Sequence, residues 1–170
     1  TEKEIKVLRK AGQILASIVE ELKCSLKSGI TTHAIDEVAE QLIARYHVRP
    51  AFKGYRGFPA CVCASVNQEV VHGIPGERII QWGDIVSIDI GVIYKEYFSD
   101  MAFTVGIGKI NPQLDRLLEV TKESLYRGIA QAKVGNHLSD ISFAVQSHVE
   151  SNNFSVVRDF VGHGIGKSLH

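Results

Sequence analysis

Apolar residues recur at helical spacing at the start of the chain and predict two helices there. Residues 1–4, TEKE, have the form of a capping box, in which a threonine and a glutamate bond to each other's backbone at a helix start. The helix that they open runs to about Ser25. A second helix is capped by Thr31 or Thr32, and its buried side extends to Tyr46.

Strand patterns follow in the middle of the chain. Residues 60–67 alternate as a strand does, and residues 85–105, IVSIDIGVIYKEYFSDMAFTV, are typical of two strands joined by a tight turn. If Tyr94-Lys95 is a two-residue hairpin loop, the numbers of directly opposed residues add up to 189. Asp89 and Asp100 are then opposed, with Cβ atoms about 4.5–5.5 Å apart.

Helical spacing returns beyond the hairpin. Asn111-Pro112 is a good pair for the cap and first position of a third helix, which runs through about Lys133. Ser139 or Asp140 begins a fourth helix. Phe154–Phe160 is predicted to form a further strand.

The order of two helices followed by strands therefore occurs twice, which indicates an internal duplication. A shift of 106 residues aligns three identical pairs: Lys27 with Lys133, Gly29 with Gly135, and Ile35 with Ile141. We expect a single domain with a first half at about residues 1–106 and a partial second half at about 107–170. The second copy lacks its hairpin, so we expect the chain to be a piece of a longer polypeptide.

Composition narrows the class of protein. Hydrophobic residues make up 45% and charged residues 22% of the chain, which is ordinary for a soluble globular domain. The 19 basic residues balance the 19 acidic ones, so charge gives no reason to expect specific nucleic acid or an anionic membrane as partner. The 3 cysteines cannot all pair within the chain, and no segment resembles a secretory leader, so we expect a cytoplasmic protein.

The hairpin sets two carboxylates, Asp89 and Asp100, among apolar residues. Two ionised carboxylates at strand-pair distance repel each other, so one stays protonated unless a cation lies between them. A shared divalent metal ion, or two, would account for the pair. The alternative is that both lie at solvated strand ends, and a register slip of one residue would put them on opposite faces.

Three histidines stand beside glycines or at the end of the chain. His163 lies in GHGIG, His72 precedes a glycine in EVVHGIPG, and His170 is the last residue. In one interpretation His163 is a metal ligand, and His72 and His170 are polar groups farther from the metal. In the other, all three are ordinary loop histidines solvated at turns. Cys61 and Cys63 are two apart on a predicted strand, so we expect them to share a face, either as small core residues or as a metal or redox pair.

Five segments together resemble the methionine aminopeptidases of the bacterial type I class. They are NQEVVHGIPG, GDIVSIDIGV, YFSDMAFTVG, ESLYRGIAQAKVG and FVGHGIGKSLH. The resemblance implies the α+β pita-bread fold, an antiparallel sheet with helices on one face in two pseudo-symmetric halves, the second incomplete here. It also implies removal of the initiator methionine from nascent proteins with a small second residue, by attack of a hydroxide that bridges two metal ions.

The same resemblance implies a role for nine residues of this chain. They are the metal ligands Asp89, Asp100 and His163, the catalytic histidines His72 and His170 (His72 also beside the substrate amide), and the methionine pocket of Tyr55, Phe58, Phe52 and Leu169. The implied cofactor is a pair of divalent ions, Co, Mn, Fe or Zn. The family's two further ligands are glutamates expected beyond residue 170, one of which is also held to act as the general base, so this chain alone is expected to be inactive.

The implied partners are nascent proteins with an N-terminal methionine, with a transient encounter at the ribosome, no membrane, and a monomeric full-length protein. Two other functions are compatible with the fold. One is a pita-bread protein that only binds, and the other is a proline-directed metallopeptidase. Retention of both aspartates and His163, and the contexts of EVVHGIPG and GHGIG, favour the methionine aminopeptidases.

Overall fold

The computed structural model describes residues 1–170 and divides them into two compact units. The first unit comprises residues 1–110 and 163–170, and the second comprises residues 111–162. In chain order the elements are α1 (Glu2–Ser25), α2 (Thr32–Arg45), β1 (Arg49–Pro50), a short 3-10 helix (Tyr55–Gly57), β2 (Val62–Val66), β3 (Ile85–Tyr94), β4 (Tyr97–Gly106), α3 (Pro112–Gln131) and α4 (Leu138–Ser151). The four predicted helices and the predicted hairpin are confirmed.

The two helices of the first unit begin at the predicted caps. The Thr1 hydroxyl accepts a hydrogen bond from the Glu4 backbone N–H, and the Glu4 side chain bonds back to residue 1, so the capping box is confirmed. The Thr31 hydroxyl caps α2 by accepting from the Ala34 N–H at 3.1 Å. Each helix then buries one apolar side against the sheet, and α1 does so with Ala11, Ile14, Leu15, Ile18, Val19 and Leu22.

The sheet of the first unit is built around β3, and all of its pairings are antiparallel. β4 runs along the whole of one edge of β3. β2 pairs with residues 86–90 and β1 with residues 92–93 along the other edge. β3 is therefore hydrogen-bonded on both sides, which makes it the most constrained strand of the unit.

The two faces of β3 differ in chemistry. Val86, Ile88, Ile90 and Val92 are fully buried in an aliphatic cluster with α1 and α2. The residues between them, including Asp89, point to the opposite face. Each buried Val or Ile contributes about 1.5–3 kcal/mol, so a slip of one residue, which would exchange the two faces, is strongly disfavoured. The predicted arrangement of helices on one face of an antiparallel sheet is confirmed.

The hairpin loop is one residue further along the chain than predicted. Tyr94 pairs with Tyr97, so the two loop residues are Lys95 and Glu96, with φ of 47° and 67°. Two positive φ values in a two-residue loop are the geometry that matches the right-handed twist of the flanking strands. The sequence did not indicate this loop because its residues are not the Asn-Gly or Asp-Gly pair that usually adopts it.

The shifted loop changes which residues are directly opposed. Asp89 pairs with Ala102, and Asp100 pairs with Gly91, so the prediction that the two aspartates are directly opposed is wrong. They are diagonal neighbours instead. Moving a two-residue loop by one position changes the pairing by two residues, and a change of two preserves the face. The two carboxylates therefore still lie on the same side of the sheet.

The second unit repeats the helix pair of the first. α1 and α2 end at Ser25 and Arg45, and a shift of 106 residues gives the ends of α3 and α4, residues 131 and 151. The glycine after the first helix of each pair also has the same left-handed backbone, with φ of 93° at Gly29 and 95° at Gly135. The repeat is thus confirmed for the helices. The division into halves at residue 106 stays a prediction.

The predicted strand at residues 154–160 is wrong. The structure assigns no strand there, and Val157 and Phe160 are each 53% exposed. A strand needs a neighbouring strand to satisfy its backbone groups, and the second unit contains helices only. The helices of this unit also expose large apolar residues, which are Leu125, Tyr126, Ile129, Leu138 and Phe143.

No helix in the structure combines the length and the apolar character that crossing a membrane would require. α1 is 24 residues long, yet it carries charged residues along its exposed side. Its apolar residues form a single buried stripe, which is typical of a helix that packs on a sheet.

One buried carboxylate, Asp36, ties α2 to the start of β2. It is only 8% exposed, and its Oδ1 atom accepts hydrogen bonds from the backbone N–H groups of Cys61 at 2.7 Å and Val62 at 3.1 Å. These two N–H groups lie at the point where the chain enters the sheet and have no strand partner of their own. Asp36 was not among the residues singled out from the sequence.

We expect Asp36→Ala to lower the free energy of unfolding by about 2–4 kcal/mol, because it leaves two buried N–H groups without an acceptor. Asp36→Asn keeps an oxygen at the same position and should cost less than half as much. Urea unfolding of both variants measures the difference. Equal losses in the two variants would show that the carboxylate's charge, and not its acceptor oxygen, stabilises this junction.

Candidate metal centre

Asp89 and Asp100 form a pair of interacting carboxyl groups on the face of the sheet away from the helices. Burial raises the pKa of Asp89 to about 7, and the charge of Asp100 and a hydrogen bond between the two carboxyl groups act in the same direction. His163 and the backbone N–H of Ile90 act in the opposite direction. The pair therefore holds a proton at a pH where an isolated aspartate would be ionised.

Gly91, on the same face as the carboxylate pair, leaves room for the ring of Phe52. Gly91 is the direct partner of Asp100, and a Cβ atom at residue 91 would lie 2.8 Å from the ring of Phe52 and 2.9 Å from the side chain of Ala51. Only glycine leaves this space, because such contacts are shorter than side chains tolerate. Glycine at residue 91 thus lets Phe52 lie over the strand beside the carboxylate pair.

Cys63 is the direct partner of Asp89 in β2, and it is buried. Burial, followed by the charges of Asp89 and Asp100, raises the pKa of the Cys63 thiol to about 12. The thiolate is the form that binds metal or reacts, so Cys63 acts as a small apolar residue. Cys61 packs instead in the aliphatic cluster, because β2 begins only after it, so the expectation that the two thiols share a face is wrong.

Residues 163–170 bring two histidines to the same face of the sheet. The Phe98 N–H at the start of β4 donates to the Gly166 carbonyl at 2.8 Å, which fixes the middle of the segment to the sheet edge. The Lys167 ammonium lies 5.6 Å from the centre of the Tyr97 ring, a cation–π contact. Adjacent residues of β4, Tyr97 and Phe98, make these two contacts, which hold the segment against the hairpin.

His163 lies beside the carboxylate pair. Its Nε2 atom is 3.8 Å from Oδ2 of Asp100, and its Nδ1 atom is 3.1 Å from the carbonyl oxygen of Gly164. The Gly164 carbonyl can only accept a hydrogen bond, so Nδ1 is the donor in this contact, and Nε2 is the ring nitrogen that faces Asp100. The ring of His170 follows, with its centre 4.4 Å from that of His163.

An apolar cluster borders these polar groups. Its buried members are Ala51, Phe52, Cys63 and Leu169, and its partly buried members are Tyr55, Phe58, Ile93 and Phe98. All four residues of the predicted methionine pocket therefore lie in one cluster. The other four were missed as pocket residues. Ile93 alone carries a signal in the sequence, because it is four residues after Asp89 in the same strand and therefore lies on the same face. Cys63 is the direct strand partner of Asp89, which only the structure shows.

His72 lies at the edge of β2 in an unusual backbone conformation, with φ of 60°. The residue after it, Gly73, donates its N–H to the Ser65 hydroxyl at 3.0 Å and accepts from the Ala64 N–H at 2.8 Å. A Cβ atom at Gly73 would clash with the Ala64 backbone, so this glycine is what lets the segment lie against β2. The imidazole of His72 is exposed, and its predicted role stays a prediction.

The donors at this site suit a divalent cation. Two carboxylates and one imidazole nitrogen are hard and borderline ligands, as Mn, Fe, Co and Zn require. A cation would also remove the repulsion that holds a proton on Asp89. No group of three His, Cys, Asp or Glu side chains, Asp89, Asp100 and His163 included, is arranged to hold an ion by itself, so the role of these three residues as ligands stays a prediction.

The chain is similar to known proteins in both sequence and structure. The model of metallopeptidase family M24 matches residues 6–170. Methionine aminopeptidase 1 of Bacillus subtilis is 50% identical over 170 residues, which cover all of this chain and 68% of that protein. The crystal structure of methionine aminopeptidase from Rickettsia prowazekii matches with a TM-score of 0.97 and 36% identity, over all of this chain and 68% of that one.

A more distant structure shares the fold alone. Prolidase from Pyrococcus furiosus matches with a TM-score of 0.86 at 23% identity, and this chain covers 49% of it. These likenesses confirm the pita-bread fold. Together with the match of the family model over nearly the whole chain, they show that the chain belongs to metallopeptidase family M24.

Proposed function

We propose that the protein of which these residues are part is a methionine aminopeptidase. It removes the N-terminal methionine from newly made proteins whose second residue is small, and it uses two divalent ions, Co, Mn, Fe or Zn. The single observation that carries the proposal is the carboxylate pair of Asp89 and Asp100 with His163 beside it, next to the apolar cluster that contains Tyr55, Phe58, Phe52 and Leu169.

Each group has a separate task in this proposal. Asp89, Asp100 and His163 hold the ions, and bound divalent ions would polarise the scissile carbonyl and activate water. His170 contacts the carbonyl side of the peptide, and His72 contacts the amide. Tyr55, Phe58, Phe52 and Leu169 enclose the methionine side chain.

The two other functions are less well supported. A protein that only binds peptides has no need of a carboxylate pair that holds a proton at neutral pH, because that arrangement lowers stability. A proline-directed peptidase is compatible with the fold, but the prolidase likeness is at 23% identity, against 50% to the Bacillus subtilis methionine aminopeptidase.

The proposal extends to partners and location. The substrates are nascent proteins that still carry their first methionine, met in the cytoplasm during a transient encounter with the ribosome. Equal numbers of basic and acidic residues, 19 of each, are consistent with a partner that is neither nucleic acid nor membrane. We propose that the full-length protein acts as a monomer.

The first test concerns the pocket. We expect the full-length protein to cleave a Met-Ala-Ser peptide at least 10-fold faster than the Leu- and Lys-initiated peptides, because a poorly fitting side chain costs about 1–3 kcal/mol. Phe58→Ala should lower kcat/KM for the methionine peptide and narrow this preference. Equal rates for the three peptides would exclude an apolar slot as the source of specificity.

The second test uses the raised pKa of Asp89. The pKa in the folded protein, about 7, lies above the ordinary value of 3.8, so folding without metal takes up a proton. The stabilisation by that proton is fully present below the unfolded pKa and is lost as pH rises through about 7. In EDTA, Asp89→Asn should therefore be more stable than the wild type at pH 8, with a smaller difference at pH 5.

Urea unfolding at the two pH values measures this difference, and added Mn²⁺ provides the control. Metal should stabilise the wild type at pH 8, because it binds the ionised carboxylates, and should stabilise Asp89→Asn much less. If Asp89→Asn destabilises the protein equally at pH 5 and pH 8, repulsion between the two carboxylates does not destabilise the metal-free protein.

The third test concerns residues 1–170 by themselves. No three of their His, Cys, Asp or Glu side chains are arranged to hold an ion, and they cover 68% of the length of the Bacillus subtilis enzyme. We expect weak Mn²⁺ or Co²⁺ binding and no measurable hydrolysis of Met-Ala-Ser, because loss of a general base alone costs about 10²–10⁴ in rate. Turnover at the rate of the full-length protein would show that these residues already contain a complete site.

A further inference from the structure

The hydroxyl group of Tyr55 contacts His170. Its oxygen lies 3.0 Å from Nδ1 of that imidazole, and the two ring centres are 5.7 Å apart. The proposed role of Tyr55 as a wall of the methionine pocket uses the aromatic ring only. A phenylalanine would serve that role equally well, so the hydroxyl group needs a separate explanation.

The position of Tyr55 is set by its own loop. Its N–H donates to the Phe52 carbonyl at 2.9 Å, and its carbonyl accepts from the Phe58 N–H at 2.9 Å. Arg56, with a positive φ of 48°, turns the chain tightly at this point, and its guanidinium lies 5.4 Å from the centre of the Tyr55 ring. The phenol is therefore presented to His170 by a fixed backbone.

His170 is held from its other side by neighbours in the chain. Leu169 is 5% exposed and anchors the segment in the apolar cluster, and the Ser168 hydroxyl donates to the His170 carbonyl at 3.0 Å. The His163 ring packs against the imidazole. With Nδ1 at the phenol, Nε2 is the nitrogen that remains for a bound peptide.

The direction of the hydrogen bond decides what His170 can do. A neutral imidazole has one nitrogen with a proton and one without, and the partner of the first nitrogen selects between them. If the phenol donates to Nδ1, the proton is on Nε2. A peptide carbonyl oxygen only accepts hydrogen bonds, so a neutral His170 can assist it only with its proton on Nε2.

We propose that Tyr55 is a positioning residue that holds His170 in the tautomer with its proton on Nε2, so that the imidazole donates a hydrogen bond to the substrate carbonyl. The inference rests on the proposed function for the identity of the substrate. The tautomer itself is a property of this chain and is measurable without any substrate or metal.

The direct test is nitrogen NMR of the full-length protein labelled with ¹⁵N-histidine. The His170 signals are assigned from their absence in His170→Gln. In the wild type, Nδ1 should give the signal of a nitrogen without a proton and Nε2 that of a nitrogen with one. In Tyr55→Phe the two signals should move toward each other, because the tautomers then exchange.

Kinetics supply the second readout. Tyr55→Phe keeps the aromatic wall, so KM for Met-Ala-Ser should stay within about twofold while kcat falls roughly 3- to 10-fold, the effect of one net hydrogen bond. Phe58→Leu alters the pocket wall and should change KM instead. Tyr126→Phe removes an exposed phenol on α3 and should change neither. Mn²⁺ affinity should be the same in Tyr55→Phe and the wild type.

Three results would overturn the proposal. The first is a wild-type His170 with its proton on Nδ1, or on both nitrogens, since the phenol would then accept. The second is a tautomer that does not change in Tyr55→Phe. The third is a Tyr55→Phe variant that raises KM and leaves kcat unchanged, which would make Tyr55 a pocket wall only. If the protein proves inactive on Met peptides, the NMR result still decides the tautomer, so the two proposals fail separately.

Discussion

Repulsion between two carboxylates on one sheet face is the interaction on which this site depends. Asp89 and Asp100 are kept together by the pairing of β3 with β4, and burial keeps water from screening them, so Asp89 retains a proton to a pH of about 7. The aliphatic cluster on the opposite face of β3 sustains this arrangement. Turning the aspartates away would require the strand to slip by one residue, which would expose Val86, Ile88 and their neighbours to water.

The remaining parts of the site are arranged around that pair by close backbone approach. Gly91 lets Phe52 lie beside Asp100, and Gly73 lets the segment after His72 lie on β2. Residues 163–170 are fixed at the edge of the sheet through Gly166. The loop at Phe52 and residues 163–170, which are far apart in sequence, thus meet on one face, so the chemistry of the face depends on loops held by a rigid sheet.

The same interaction connects stability to the proposed function. A buried carboxylate pair lowers the stability of the metal-free protein. A cation that replaced the shared proton would make the contribution of the same pair to stability favourable. His163 supplies a nitrogen donor beside the pair, and His170 stands next to it with its Nδ1 atom engaged by Tyr55.

The sequence by itself determined the helices, the caps of the first three, the repeat of the helix pair and the face on which the aspartates lie, whereas the fourth helix is capped by His137 and not by Ser139 or Asp140. These are local properties: capping and periodicity act over a few residues, and strand parity survives a loop shift of one position. Only the tertiary structure decided the register, because Lys95 and Glu96 adopt a turn that their residue types do not specify. It also placed Asp36 and Cys63, and it showed that residues 154–160 form no strand. Those outcomes depend on partners distant in the chain, and a pattern of neighbouring residues carries no information about such partners.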